Sequence, residues 1–224
     1  MNQYYAQKLS AKRLELCYEL ANQRIKQYLQ SEINFTKSLL NPNDIILELG
    51  CGYGRIMAEI ANQADTVIGI DNSVESLLYG QKYLKKNPNF YLVATDASKQ
   101  CFNDNSFDKV LCLQNGLSAF HIDKKSLIKE SLRVVKPGGL LLFSSYSYKI
   151  WDARLEWFEK QSDAGLLGKI DYEKTKDGII VCEDGFSATT INESEFHNLM
   201  DGLDVEYNLV EIDKSSLFCK IIKL

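Results

Sequence analysis

Apolar residues along this chain fall into short continuous runs, separated by longer stretches in which they recur at helical spacing. The runs are Asp44 to Leu49, Thr66 to Asp71, Phe90 to Thr95, Phe107 to Leu113, and the segment that follows Arg133 and ends at Phe143. Unbroken apolar runs of this length suit strands covered on both faces. Alternating with helical stretches, they predict five strands of an open α/β sheet between residues 41 and 146. Two further runs, Asp204 to Ile212 and Ser216 to Lys223, read as a closing antiparallel pair and bring the sheet to seven strands.

The flanks differ in pattern. Residues 3–34 read as helix, with Leu9, Leu16, Leu20, Ile25, Tyr28 and Leu29 forming a partial apolar stripe. Residues 147–191 read as an insertion after the fifth strand. There Trp151 to Phe158 has helical spacing, and three short strands are expected at 169–175, 177–182 and 186–191. Lys176-Asp177-Gly178 and Glu183-Asp184-Gly185 supply hairpin turns. The expected layout is therefore an arm over residues 1–40 and a main domain over 41–224 that carries a small antiparallel β cap.

The chemistry begins at the first strand. It ends on the acid Glu48, and glycines follow at alternate positions, Gly50, Gly52 and Gly54. Glycine turns after a strand let a ligand approach the backbone closely. A dinucleotide fingerprint would read G-x-G-x-x-G; here the third glycine position of that pattern is Arg55. Asp71 ends the second strand, about 20 residues beyond the glycine loop, where a doubly wound fold offers a carboxylate to ribose hydroxyls. Asp71 also suits the cap of a helix starting near Ser73. Asp96, after the third strand, reads as a ligand contact or an ordinary turn residue.

The E-x-G-x-G-x-G pattern, the acids after strands two and three, and the Pro137-Gly138-Gly139 turn before strand five resemble the class I S-adenosylmethionine (SAM) dependent methyltransferases. The resemblance implies a doubly wound sheet of order 3-2-1-4-5-7-6 and SAM as cofactor, with S-adenosylhomocysteine (SAH) as its product. It places Glu48, Gly50, Cys51, Gly52 and Gly54 at the methionine part, Asp71 at the ribose, Asn72, Asp96 and Ala97 at the adenine, and Gln114 among the polar contacts. It also implies that the arm closes the site, with Tyr4, Tyr5 and Tyr18 as candidates and Asn115 and Trp151 beside the acceptor. The same aromatic residues would serve equally as helix-packing residues.

Composition narrows the acceptor. The net charge of −4 and the scattered lysines argue against a nucleic-acid partner, which would call for a basic patch. The six cysteines and two histidines lack zinc-site spacing. With no signal-peptide core and no apolar stretch near the length of a membrane span, a cytoplasmic protein without a membrane partner is expected. A small-molecule acceptor, methylated at N, O or S, follows as the first reading. A non-catalytic SAM-binding or regulatory protein, an RNA or protein methyltransferase, and an NAD-dependent oxidoreductase remain alternatives. If a base is needed, His121 and Tyr146 are the candidates. The hairpin edges of the cap leave monomer and homodimer both open.

Overall fold

The computed structural model describes residues 4–87 and 89–224, without the side chains of Tyr5 and Ala6. Tyr5, expected at the lid, thus has its side chain outside the described residues.

The amino-terminal region is three helices, α1 (Tyr4–Lys8), α2 (Ala11–Glu19) and α3 (Gln23–Lys37), where the apolar stripe suggested one. Local capping explains the breaks. Asn22 accepts a hydrogen bond from the Ile25 amide at the start of α3. Ser10 precedes α2, and its hydroxyl donates to Glu75. The Ala11 amide donates to the Ser76 hydroxyl, so this second break is pinned to a distant helix.

The central elements alternate as expected: β1 (Ile45–Leu49), α4 (Arg55–Ile60), β2 (Thr66–Asp71), α5 (Val74–Tyr83), β3 (Phe90–Ala94), β4 (Phe107–Cys112), α6 (Gly116–Ala119), α7 (Lys124–Val134) and β5 (Val135–Tyr146). The cap follows as α8 (Trp151–Asp163), β6 (Ile180–Val181) and β7 (Ser187–Ala188); then come α9 (Glu193–Met200), β8 (Val205–Ile212) and β9 (Ser216–Lys223). The large sheet has the order β3-β2-β1-β4-β5-β9-β8. With the two short cap strands set aside, this is the 3-2-1-4-5-7-6 order. The first five strands pair in parallel and β9 runs antiparallel to β5 and β8.

Side chains alternate across this sheet as the pleat requires. In β1, Leu47 and Leu49 join one core beneath α7 and α9, while Ile46 joins another with Ile56, Met57 and Leu77 of α4 and α5. A third core is built by the flanks together with Tyr146 at the end of β5. Leu9, Cys17, Ile25 and Tyr28 of the arm region pack with Trp157, Phe158, Ile180 and Phe186 of the cap. Arm and cap thus stabilise each other above the carboxyl edge of the sheet. Among the described residues no helix is long and apolar enough to cross a membrane.

Two local expectations change. Pro137-Gly138-Gly139 does not separate helix from strand, because β5 already begins at Val135. Phe107 pairs with Val135 and Lys109 with Leu140, so residues 136–139 bulge out, with Gly138 at φ +74°. In the cap, residues 169–175 contribute only the bridge Ile170–Cys182 rather than a strand. A turn at Asp171 bends this segment, and the Thr175 hydroxyl accepts from the Val181 amide in place of a ladder bond.

Candidate active site

A cavity of about 210 Å³ opens where the carboxyl ends of β1, β2 and β4 meet the arm and the cap. This is the crevice in which open α/β sheets bind ligands. Its floor is built by hydrogen bonds within the glycine loop. The amides of Gly50 and Cys51 both donate to the Ile70 carbonyl, at 2.8 and 3.0 Å. The Gly52 amide donates to Oδ2 of Asp71 at 2.9 Å, and the Ser73 amide to Oδ1 at 2.7 Å. Asp71 therefore orders the start of α5 and also faces the cavity. Burial raises its pKa, and each oxygen retains a second lone pair for a ligand.

The alternating glycines are not equivalent. Gly50 has φ +70°, and a Cβ there would lie 2.5 Å from the Phe120 ring. Gly52 has φ +55°, and its Cβ would meet Leu14 of α2 at 2.9 Å. Both line the cavity, with Cys51 between them. Gly54, expected at the cofactor, does not; it precedes α4 at φ +84°, and its missing side chain makes room for Leu84.

Glu48, Asn72, Asp96, Ala97, Gln114, Tyr18 and Tyr146 also line the cavity. Asp96 is shaped by its turn, with Oδ1 accepting from the Ser98 amide and hydroxyl. Glu48 is buried, and burial pushes its carboxyl up to about 8, while Arg55 pulls the other way. Oε2 of Glu48, Nε and Nη2 of Arg55 and Nε2 of Gln114 are buried without a hydrogen-bond partner. All three residues line the cavity. Unpaired buried polar atoms cost roughly 1–3 kcal/mol each, so their gathering at one cavity marks a place for a polar ligand.

Other expected site residues lie elsewhere. Tyr4 is outside the cavity; its phenol donates to Asp184 and its ring packs on Phe186, 5.1 Å between centroids, so it fastens the arm to the cap. Asn115 is a buried tie: its amide donates to the Thr189 carbonyl and its carbonyl accepts from the Ser145 hydroxyl. His121 is half-buried at φ +50°, and only its neighbours Phe120 and Ile122 reach the cavity. Burial also lowers its pKa. Trp151 stands on the first turn of α8, away from the cavity. The face turned inward carries Arg154, Trp157, Phe158 and Gln161, of which the last three line it. Burial holds the Tyr146 phenol up to about 12, so it keeps its proton near neutrality.

Several lining residues were not anticipated from sequence, notably Leu14 and Cys17 of α2, Trp157, Phe158 and Phe186. For Trp157 and Phe158 a signal existed. It was partial: they share a face with Arg154 and Gln161, which are polar, whereas the apolar set Trp151, Leu155 and Phe158 at i, i+4 and i+7 points to a different face. Arg55 was visible only as a departure from the dinucleotide pattern; its guanidinium stacks on Tyr18, 4.4 Å from the ring centroid.

Comparison with known proteins agrees with this geometry. Residues 46–139 match the family model described as a methyltransferase domain. The 2-methyl-6-phytyl-1,4-hydroquinone methyltransferase of Synechocystis sp. is 31% identical over 136 residues, 55% of this chain and 41% of that protein. The matched part spans less than half the length of such curated relatives. The PH0226 protein of Pyrococcus horikoshii superposes over 100% of both chains, with a TM-score of 0.67 at 19% identity. The N-methyltransferase NodS of Bradyrhizobium japonicum, solved with SAH, covers 94% of this chain and 97% of its own, with a TM-score of 0.59 at 17% identity. Residues 46–139 of this chain thus match a methyltransferase domain, set in a sheet with the order that the resemblance to the class I SAM-dependent enzymes implied.

Proposed function

We propose that the chain transfers a methyl group from SAM to a small-molecule acceptor. One observation carries this reading: a single cavity joins a floor of Gly50, Gly52, Glu48 and Asp71 to a closed wall from the arm and cap. SAM would bring a sulfonium whose methyl carbon is open to in-line attack, the C–S electron pair returning to sulfur. The residues present fit it. Asp71 offers acceptor oxygens for a ribose diol, and Asn72, Asp96 and Ala97, which line the cavity beside it, would take the adenine. Glu48 offers an unpaired acceptor to the ammonium of the methionine part, and Arg55 offers unpaired donors to its carboxylate.

The protein's own contribution is then alignment and exclusion of water. Orientation of this kind can supply up to about 7–11 kcal/mol. No arm or cap residue that lines the cavity stands out as a base near neutral pH, which suits a nucleophile that arrives already deprotonated or neutral. The relatives' printed names include hydroquinone and demethylmenaquinone methyltransferases, which supports a small-molecule acceptor here.

Calorimetry with SAM, SAH and NAD⁺ tests the assignment. Micromolar binding of the first two and none of the third is expected, with Asp71→Ala and Gly52→Val each weakening it. Binding of NAD⁺ in preference to SAH would overturn the reading.

A further inference from the structure

The wall contributed by the arm and cap has a definite chemistry. Tyr18, Tyr146, Trp157, Phe158 and Phe186 face the cavity. Tyr18 and Trp157 lie 6.1 Å apart between centroids, Trp157 and Phe158 5.6 Å, and Phe158 and Phe186 5.6 Å. The indole is held in place by a hydrogen bond from its Nε1 to the Cys17 carbonyl at 2.7 Å. A set of rings held at fixed angles favours a flat guest over a branched one.

An aromatic wall by itself would also attract a cation, because the face of each ring is electron-rich. Here two guanidiniums already lie against three of these rings, Arg55 from within the cavity lining and Arg154 from behind it. Arg154, 1% exposed, lies 4.3 Å from the Tyr146 centroid and 5.5 Å from that of Phe158. Arg55 lies over Tyr18. Among the described residues no acid of the arm or cap lines the cavity. Burial also pushes the nearby carboxyls up, Glu48 to about 8 and Glu32 to about 7, which thins out negative charge near neutrality. A cationic guest would be buried beside Arg55 and against rings already backed by Arg154, with no arm or cap acid to balance it.

Gln114 supplies an unpaired polar atom to orient the guest. The Gln114 amide N–H donates to Glu32 at 3.1 Å and to the Ser144 hydroxyl at 2.8 Å, and this fixes the backbone at the end of β4. The Tyr18 phenol donates to Oε1 of Gln114, which leaves the buried Nε2 as a donor without a partner. We infer that this end of the cavity takes a flat aromatic or conjugated acceptor without positive charge, which presents a hydrogen-bond-accepting oxygen to Gln114. The inference rests on the methyltransferase reading, and it moves Gln114 from the cofactor to the acceptor.

Three probes of one shape test it by calorimetry on SAH-saturated protein: 2-naphthol, naphthalene and 2-naphthylmethylammonium. The expectation is that 2-naphthol binds about tenfold more tightly than the ammonium probe and several-fold more tightly than naphthalene. Gln114→Leu should erase the advantage of 2-naphthol over naphthalene while SAH affinity stays within about threefold. Trp157→Ala should weaken both neutral probes. An ammonium probe that binds as well as 2-naphthol would overturn the inference. So would a Gln114→Leu variant that keeps the preference for 2-naphthol, or failure of all three probes to bind. The SAH titration is read separately. If it alone is silent, the cofactor reading falls, and the probe series on the protein without SAH still reports on the wall.

Discussion

The Tyr18 phenol donates to Oε1 of Gln114 across 3.0 Å, which ties the second arm helix to the end of β4. Tyr18→Phe keeps the ring beneath Arg55 and removes only this bond. Loss of one such bond should cost about 1 kcal/mol in chemical denaturation. SAH affinity should hold, while kcat/KM for the acceptor falls about tenfold because the Gln114 amide is no longer aimed. Equal losses for SAH and acceptor would show that Tyr18 serves the cofactor instead.

Glu48 sets a pH dependence. Burial raises its carboxyl to about 8 in the folded chain, against an ordinary value of about 4.3 in the unfolded one. Between these values the folded form holds a proton that the unfolded form lacks. The corresponding stability is full below the lower value and is lost as pH rises through the upper one. Melting temperature should therefore fall from about pH 5 to about pH 8. Glu48→Gln should flatten that fall without abolishing it, because Glu32 is raised to about 7 for the same reason. A wild-type profile that rises over this range would contradict the assignment.

Asp184 latches the arm. Its side chain accepts from the Tyr4 phenol, and its backbone carbonyl accepts from Lys8 at 3.1 Å. The Lys8 ion pair with the Asp184 carboxylate, at 3.5 Å, is exposed and worth at most about 1 kcal/mol, so Asp184→Ala should move the melting temperature little. Hydrogen exchange in α1 should nevertheless quicken about tenfold, since local opening there loses its main restraint. Unchanged exchange would mean that the ring contact with Phe186 holds the arm alone.

Gly50 has no room for a side chain. Gly50→Ala would place a Cβ at a left-handed φ and against Phe120, costing about 1–3 kcal/mol in strain and overpacking. Because Phe120 lines the cavity, its displaced ring should also weaken SAH binding by more than about tenfold. Calorimetry and thermal melting on the same sample separate the two effects.

The nucleotide half was legible in the sequence because buried parallel strands carry continuous apolar runs and because an acid at or just beyond the carboxyl end of each of β1, β2 and β3 falls at the cavity. The flanks were less so. Ser10 and Asn22 break the arm through caps whose partners include the distant Glu75 and Ser76. Trp151 and Trp157 both fit a helical stripe, and only packing against Cys17 and the rings of the arm decides that the second faces inward. Asn115 and His121 adopt positive φ values in the segment after β4, which turns their side chains to structural partners that spacing alone does not reveal. Gly54 shares the rhythm of its neighbours, yet Leu84, thirty positions on, claims its space.

The bond from Trp157 to the Cys17 carbonyl gives this protein an optical reporter of its own. The chain has two tryptophans; Trp151 is partly open to solvent, whereas Trp157 is 5% exposed and touches both arm and cavity. If the arm parts from the cap, that bond breaks and water reaches the indole, shifting its emission to longer wavelength. Opening and closing of the cavity can thus be followed in stopped flow without any label, at the residue where the two flanks meet.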